Sequence, residues 1–111
     1  MHRVAIERND RTTVVLAAGE LDAFAAPDLA SAFEDVSGEE RVIADLEGVS
    51  FMDSTALGLI VRASRELTAA GSRVRIVLPT GSARRIFEIT ALDGVLPVAE
   101  TRSAALAELE A

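Results

Sequence analysis

The stretch VSFMDSTALGLIVRAS, from Val49 to Ser64, decides how the middle of this chain folds. It begins just after an apolar strand has ended, passes through the polar junction Asp53–Thr55, and continues with apolar residues at helical spacing. Gly71 is the next residue that favours a helix end, so the spacing predicts a helix from about Ser54 to Ala70. The junction therefore places a carboxylate and two hydroxyl groups where a strand gives way to a helix.

Before and after this stretch, the sequence contains further strand and helix patterns. The period-two alternation of HRVAIE, the turn residues RNDR and the apolar run TTVVLAA predict an N-terminal hairpin. One helix is predicted with Pro27 in its first turn and its end at Ser37 and Gly38. Others are predicted over residues 81–92 with Ser82 as N-cap, and after Thr101 as N-cap of a closing helix. Short strands are predicted at RVIADL, RVRIVLP and VLPVAE.

This order of elements predicts an α/β fold. Strands that alternate with helices pair in parallel through right-handed crossovers. We therefore expect a mixed, mostly parallel sheet with the antiparallel hairpin strand at one edge and about four flanking helices. At 111 residues the chain has the length of one domain, and we expect a single domain over residues 1–111.

The composition excludes several classes of site. The chain has no cysteine and one histidine, His2, so thiol catalysis, disulfides and metal sites built on Cys or His are not expected. All 11 basic residues are arginine, and a P-loop needs a lysine. A net charge of -7 disfavours nucleic acid and anionic membrane surfaces but favours a protein partner with basic residues. No apolar run is long enough to cross a bilayer, so we expect a cytoplasmic protein. We expect no cofactor.

The predicted helix after Asp53 has one apolar face and one mostly polar face. At about 100 degrees per residue, the face directed at the sheet holds Leu57, Ile60, Val61, Ser64 and Leu67. The residues directed away from the sheet are Thr55, Leu59, Arg62 and Glu66. Ser54, Gly58 and Arg65 share the flank between the two faces.

Glycine inside a helix costs about 1 kcal/mol relative to alanine, so Gly58 needs a reason. Either the protein packs tightly against it, or an external partner approaches Ser54 closely there. We favour the partner. An aromatic residue in the loop after Asp22, Phe24, is either an interface anchor or a core residue.

Asp53 and Ser54 allow two interpretations. Acidic and hydroxyl side chains are preferred N-caps, because their oxygens accept hydrogen bonds from the unpaired amides of the first helical turn. Alternatively, the Ser54 hydroxyl is exposed at the helix start, where the helix dipole accommodates a phosphate. A phosphate would add -1.5 to -2 charges and alter the surface that a partner meets.

Three blocks of the sequence resemble those of the STAS domain, and most closely those of bacterial anti-sigma factor antagonists. The blocks are GELDAFAAPDLASAF, VIADLEGVSFMDSTALGLIVRA and RIFEITALDGVLPV, and they span nearly the whole chain. The Asp-Ser-Thr triplet before a Leu-Gly helix is the most specific part. Two positions depart from the family pattern, since Ala56 and Ala91 stand where glycine is frequent.

The resemblance implies a regulator without catalytic residues. The unmodified protein would bind an anti-sigma factor with serine kinase activity and so free a sigma factor. The kinase would phosphorylate Ser54, with Thr55 the less favoured acceptor, and a serine phosphatase would restore the unmodified form. Asp22 would belong to the binding surface beside the acceptor. We predict that the partner-binding residues are Asp22, Phe24, Asp53, Thr55, Gly58, Leu59 and Arg62.

Two alternatives belong to other functional classes. A structural or transport-associated STAS subunit, such as a scaffold component or a partner of a membrane ATPase, would use the same surface without phosphorylation. An enzyme is disfavoured, because a serine nucleophile needs a base and no Gly-x-Ser-x-Gly motif is present. Arg84 and Arg85 are interpreted as solvated surface rather than as an anion site.

Overall fold

The structure, a computed structural model, describes residues 1–78, 85 and 96–110. Within these ranges the chain forms five strands and three helices. The strands are β1 (His2–Asn9), β2 (Thr12–Leu21), β3 (Arg41–Met52), β4 (Arg73–Val77) and β5 (Val98–Ala99). The helices are α1 (Ala26–Asp35), α2 (Ser54–Ala69) and α3 (Arg102–Glu110).

The strands form one mixed sheet in the order β1-β2-β3-β4-β5. The hairpin strand β1 is antiparallel to β2, and the remaining neighbours are parallel. The predicted fold class, with a hairpin strand at one edge of a mostly parallel sheet, is confirmed. Of the expected four helices, the one predicted over residues 81–92 with Ser82 as N-cap lies outside the described residues, apart from Arg85, which is helical and exposed.

Helices cover both faces of the sheet. On one face, α1 and α2 pack over a core cluster that includes Leu29, Ile60 and Ile76. On the opposite face, α3 packs through Ala105 and Leu109 onto Val14, Ile43 and Val77. Within the described part of the chain, no helix is both long enough and apolar enough to cross a membrane.

Strand β3 is longer than the sequence predicts. The pattern RVIADL predicts a strand that ends at Leu46, but β3 continues to Met52. Strand β2 is ten residues long and supplies hydrogen-bond partners along this extension. Two register shifts, between Leu16 and Ala18 and between Gly19 and Glu20, absorb the irregular segment. Pairing with β2 thus overrides the turn-like composition of residues 47–50.

The last strand is shorter than predicted. The pattern VLPVAE predicts a strand over residues 95–100, whereas β5 contains only Val98 and Ala99. Pro97 has no N–H to donate, although its carbonyl accepts from the N–H of Ile76 at 2.8 Å. The sheet therefore ends in a two-residue strand on this side.

The C-terminus of α2 and the N-terminus of α3 have the residues predicted for them. Helix α2 ends before Gly71, which has a φ of 102° and donates to the Thr68 carbonyl at 3.1 Å. Thr101 caps α3, because its hydroxyl oxygen accepts from the N–H of Ala104 at 3.0 Å. These local signals determine where α2 ends and where α3 begins.

Candidate functional site

The ends of β2 and β3 bring two acidic loops together. Leu21 and Met52 are register partners at the ends of these neighbouring parallel strands. The N–H of Asp53 donates to the Leu21 carbonyl at 3.0 Å, which ties the two chain segments together. We call residues 22–25 and 53–55 the carboxyl edge, because they follow the carboxyl ends of two adjacent strands.

Asp53 is the N-cap of α2. Its Oδ1 accepts a hydrogen bond from the N–H of Ala56 at 2.9 Å, and its backbone is extended with φ of -94° and ψ of 177°. The side chain is half-buried. The capping interpretation is therefore confirmed for Asp53, and its carboxylate is engaged in starting the helix.

Ser54 is the first residue of α2 and does not cap it. Its side chain is exposed, and its hydroxyl makes no hydrogen bond to any residue within the described ranges. Thr55, the next residue, is exposed as well. The hydroxyl of Ser54 thus stands at the positive end of the helix dipole while Asp53 supplies the cap.

Asp22 organises the loop on the other side of the carboxyl edge. Its Oδ1 accepts from the N–H of Phe24 at 3.0 Å and from the N–H of Ala25 at 3.2 Å. Ala25 is buried, whereas 86% of Phe24 is exposed. Phe24 is therefore not a core residue, and its ring is held in solvent by the turn that Asp22 builds.

The first turns of α2 separate inward and outward residues as the wheel predicts, with one exception. Ala56, Leu57, Ile60, Ser64 and Leu67 are buried, and Val61 is partly buried. Gly58 and Arg62 are exposed. Leu59, predicted on the solvated face, is half-buried and packs against the core cluster. That prediction was wrong because α1 lies beside α2 and shields this flank.

Two small residues of this helix, Ala56 and Gly58, have opposite surroundings. Ala56 is fully buried, so its methyl group points into the core and away from a partner. A Cβ added at Gly58 would meet nothing within 4 Å in the structure. Internal packing therefore does not require the glycine.

A shallow depression of about 590 Å³ runs from Ser54 along α2. It is lined by Ser54, Leu57, Gly58, Val61, Arg62, Arg65 and Glu66. The predicted flank of Ser54, Gly58 and Arg65 is thus one surface, and Arg62 joins it. Thr55 lies outside the depression.

Phe51 was not among the predicted site residues. It lies two residues before Asp53, is 51% exposed, and pairs with Glu20 across the sheet. Because strand residues alternate between faces, Phe51 points away from the side where its neighbour Met52 is buried. Only the extension of β3 to Met52, which composition did not predict, gives Phe51 this position.

Metal ligands are not grouped in the part of the molecule that the structure describes. No set of three or more histidine, aspartate or glutamate side chains there is arranged to hold an ion. The carboxylates of Asp22 and Asp53 are instead used in hydrogen bonds to backbone amides.

Comparison with known proteins identifies the family. The model of the STAS domain family matches residues 3–105. An anti-sigma-B factor antagonist from Listeria monocytogenes is 34% identical over 100 residues, which cover 86% of this chain and 88% of that protein. The chain is a STAS domain of the anti-sigma factor antagonist family. Members of this family are regulators without enzymatic activity, as predicted.

Solved structures of this family share the STAS fold described above. An anti-sigma factor antagonist from Mycobacterium paratuberculosis has a TM-score of 0.90 at 26% identity, covering 100% of this chain and 96% of that one. SpoIIAA of Bacillus in its phosphorylated form has a TM-score of 0.73 at 28% identity, covering 96% and 99% of the two chains. Its unphosphorylated form has a TM-score of 0.74 at 27% identity, covering 97% and 96%.

Proposed function

We propose that this STAS domain controls an anti-sigma factor through the phosphorylation state of Ser54. The unphosphorylated protein binds an anti-sigma factor that has serine kinase activity, and the bound sigma factor is released. Phosphorylation of Ser54 by that kinase ends the interaction. A serine phosphatase then regenerates the binding form.

The observation that carries this proposal is the exposure of Ser54 at the first position of α2. An exposed hydroxyl is accessible to a kinase. The helix dipole accommodates the added negative charge, and Asp53 already supplies the cap, so the helix does not depend on the free hydroxyl. SpoIIAA, a relative of this protein, has been solved in a phosphorylated and an unphosphorylated form, and this supports phosphorylation as the regulatory modification here.

The proposed partner surface consists of the carboxyl edge and the outer side of α2. Phe24 supplies an exposed aromatic anchor beside the acceptor. Gly58 leaves the approach to Ser54 open. The full set is the one predicted from the sequence, namely Asp22, Phe24, Asp53, Thr55, Gly58, Leu59 and Arg62.

The proposal includes the setting in which the domain acts. We propose that residues 1–111 form one domain that works in the bacterial cytoplasm, where kinase, ATP and sigma factor are available. The net charge of -7 supports a partner with basic residues. A phosphate adds -1.5 to -2 charges and three strong acceptors to the interface at Ser54.

Intact mass spectrometry after incubation with the cognate anti-sigma factor and ATP tests the acceptor. We expect the mass of one phosphate to be added to the wild type and to Thr55→Ala, and none to Ser54→Ala. Phosphate on Ser54→Ala but not on Thr55→Ala would move the acceptor to Thr55.

Affinity measurements separate the regulated antagonist from a constitutive STAS subunit. We expect Ser54→Ala to bind the anti-sigma factor like the wild type and Ser54→Asp to bind it at least about tenfold more weakly, since the added charge opposes an interface built for a neutral hydroxyl. Equal affinities of the two variants, together with no transferred phosphate, would favour the structural or transport-associated alternative.

A further inference from the structure

A groove between α1 and α2 continues the proposed partner surface away from Ser54. Its volume is about 450 Å³. It is lined from α1 and the turn after it by Ala30, Phe33, Glu34 and Ser37, and from α2 by Leu59, Arg62, Ala63, Glu66 and Leu67. Each set repeats at intervals of three and four residues, so one stripe of each helix faces the groove.

The groove has an apolar floor. Phe33 and Leu67 are buried at its base, and Leu59, Ala30 and Ala63 are half-buried along it. Two of these five residues are alanines, so the backbones of α1 and α2 stay accessible to a third element. Apolar surface between two helices is the form of site that takes the apolar face of an amphipathic helix.

The rim of the groove is charged, and the two sides differ. Helix α1 contains no basic residue, and Glu34 stands on its rim. Glu66 and Arg62 stand on the α2 rim. All three side chains are exposed, and none forms an ion pair with another residue in the described ranges.

Arg62 and Glu66 connect the groove to the Ser54 site. Both residues also line the depression that starts at Ser54, so the two concave surfaces meet along α2. A partner that covers Ser54 and Gly58 therefore reaches the groove across the side chains of Arg62 and Glu66.

We propose that this groove binds an amphipathic helix of the anti-sigma factor, whose basic flank faces Glu34 on α1. The inference rests on the proposed function and adds a second contact to it. The apolar ridge of the partner helix packs over Leu59 and Ala63, and its Arg or Lys residues pair with carboxylates that are otherwise unpaired within the described chain. Arg62 selects an acidic residue at the end of the helix nearer to Ser54.

Charge reversal tests the contact. We expect Glu34→Arg to weaken binding to the cognate anti-sigma factor at least about tenfold, because a basic flank then meets a basic rim. Glu110→Arg is the matched control, since Glu110 is also exposed on a helix, makes no ion pair in the described ranges, and lies on α3 across the sheet. Glu110→Arg should bind the anti-sigma factor with the affinity of the wild type. Both variants should unfold at the same temperature as each other.

Cross-linking identifies the occupant. The chain has no cysteine, so Ala63→Cys and Glu110→Cys each carry a single benzophenone label. With the label at residue 63, we expect a cross-link to a helical segment of the anti-sigma factor that is rich in Arg or Lys, and none from residue 110. A cross-link to a second copy of this chain, or to an extended or acidic segment, would overturn the inference.

The failures of the two proposals are distinguishable. If Ser54→Asp abolishes binding while Glu34→Arg binds like the wild type, the groove is not part of the interface and the Ser54 proposal stands. If the wild type binds no anti-sigma factor, both proposals fall together. Loss of binding by Glu110→Arg to the same extent as by Glu34→Arg would mean that net charge alone governs affinity, and would also overturn the groove.

Discussion

An added side chain meets open space at residue 58 and meets Ala18 at residue 48. A Cβ at Gly48 would lie 2.9 Å from the Cβ of Ala18, whereas one at Gly58 would touch none of the described residues within 4 Å. Neither glycine has a positive φ, so the contrast is one of space alone. The packing of β2 beside β3 requires Gly48. Packing within the domain does not require Gly58, and we attribute this glycine to the approach of a partner.

Alanine and glutamine substitutions separate these roles. We expect Gly58→Ala to raise the free energy of unfolding by about 0.5–1 kcal/mol, because alanine is the better helix former. Gly58→Gln should not lower the melting temperature, because glutamine is also a better helix former than glycine, but it should lose binding to the anti-sigma factor. Gly48→Ala, the control, should lower stability. Thermal unfolding measures the stability of each variant, and isothermal titration calorimetry measures binding to the anti-sigma factor. A loss of stability in Gly58→Gln would show that internal packing requires the glycine.

Residues whose chemistry was local could be predicted from the sequence. Asp53 as N-cap, Thr101 as N-cap and Gly71 as helix end follow from side-chain chemistry and backbone freedom within a few residues. Phe24 could not be decided, because an aromatic residue in a loop suits a core as well as a surface. Its exposure depends on the Asp22 turn and on where α1 starts, which are tertiary facts.

At the scale of the elements, a partly buried ionic contact adds to the apolar packing that holds α3 on the sheet. Arg102 donates to Asp45 Oδ2 through Nε at 2.9 Å and to Glu7 Oε2 through Nη1 at 2.9 Å. Only 4% of Asp45 is exposed, while Arg102 keeps 33% of its side chain in solvent. Removing the arginine leaves a buried carboxylate whose one remaining hydrogen bond among the described residues is from the N–H of Glu47.

We expect Arg102→Met to lower the free energy of unfolding by about 2 kcal/mol, which is below the full value for a buried pair because Arg102 is partly solvated. Arg75→Met is the control, since Arg75 pairs at 2.8 Å with Glu108, which is 47% exposed. That change should cost less than about 1 kcal/mol. Urea unfolding measures both, and equal losses would show that the burial of Asp45 does not matter.

The sequence predicted the order of elements well and their lengths less well. Periodicity was sufficient for β1, α1 and α2, because each has a regular apolar repeat. Strand β2 was predicted from its apolar run TTVVLAA, and the last three residues of the strand, up to Leu21, were not predicted. Periodicity failed for the second half of β3, where Glu47, Gly48 and Ser50 resemble a turn. That half is a strand only because β2 lies beside it, and pairing partners are not encoded in a local window.

At the scale of the whole molecule, charge pairs join segments that are distant in sequence. The Arg11 guanidinium donates to the Glu40 carboxylate at 2.9 Å and connects the hairpin turn to the start of β3. This hydrogen bond, followed by the charge of Arg11, lowers the pKa of the Glu40 carboxyl below its ordinary value. Both side chains of the pair are exposed, so its contribution to the free energy of unfolding is small.

The direction of the shift sets its pH dependence. A carboxyl whose pKa is lower in the folded protein stabilises the fold at pH values above its unfolded pKa, and this contribution disappears as the pH falls through the folded pKa. We expect a carbon-detected NMR titration to give a lower pKa for Glu40 in the wild type than in Arg11→Gln. Arg65→Gln, which removes an arginine elsewhere, should leave the Glu40 value unchanged. An unchanged Glu40 titration in Arg11→Gln would contradict the pairing.

The link between Glu7 and Arg102 joins positions 95 residues apart, and it has a consequence for biosynthesis. Strand β1 leaves the ribosome long before α3 is made, so the sheet face that α3 covers, with the Asp45 carboxylate in it, stays uncovered until α3 has emerged. Contacts of such long sequence separation form late and slowly. The nascent chain therefore cannot cover this face of the sheet until α3 has been made, and chaperone capture of incomplete chains is expected there rather than at Ser54.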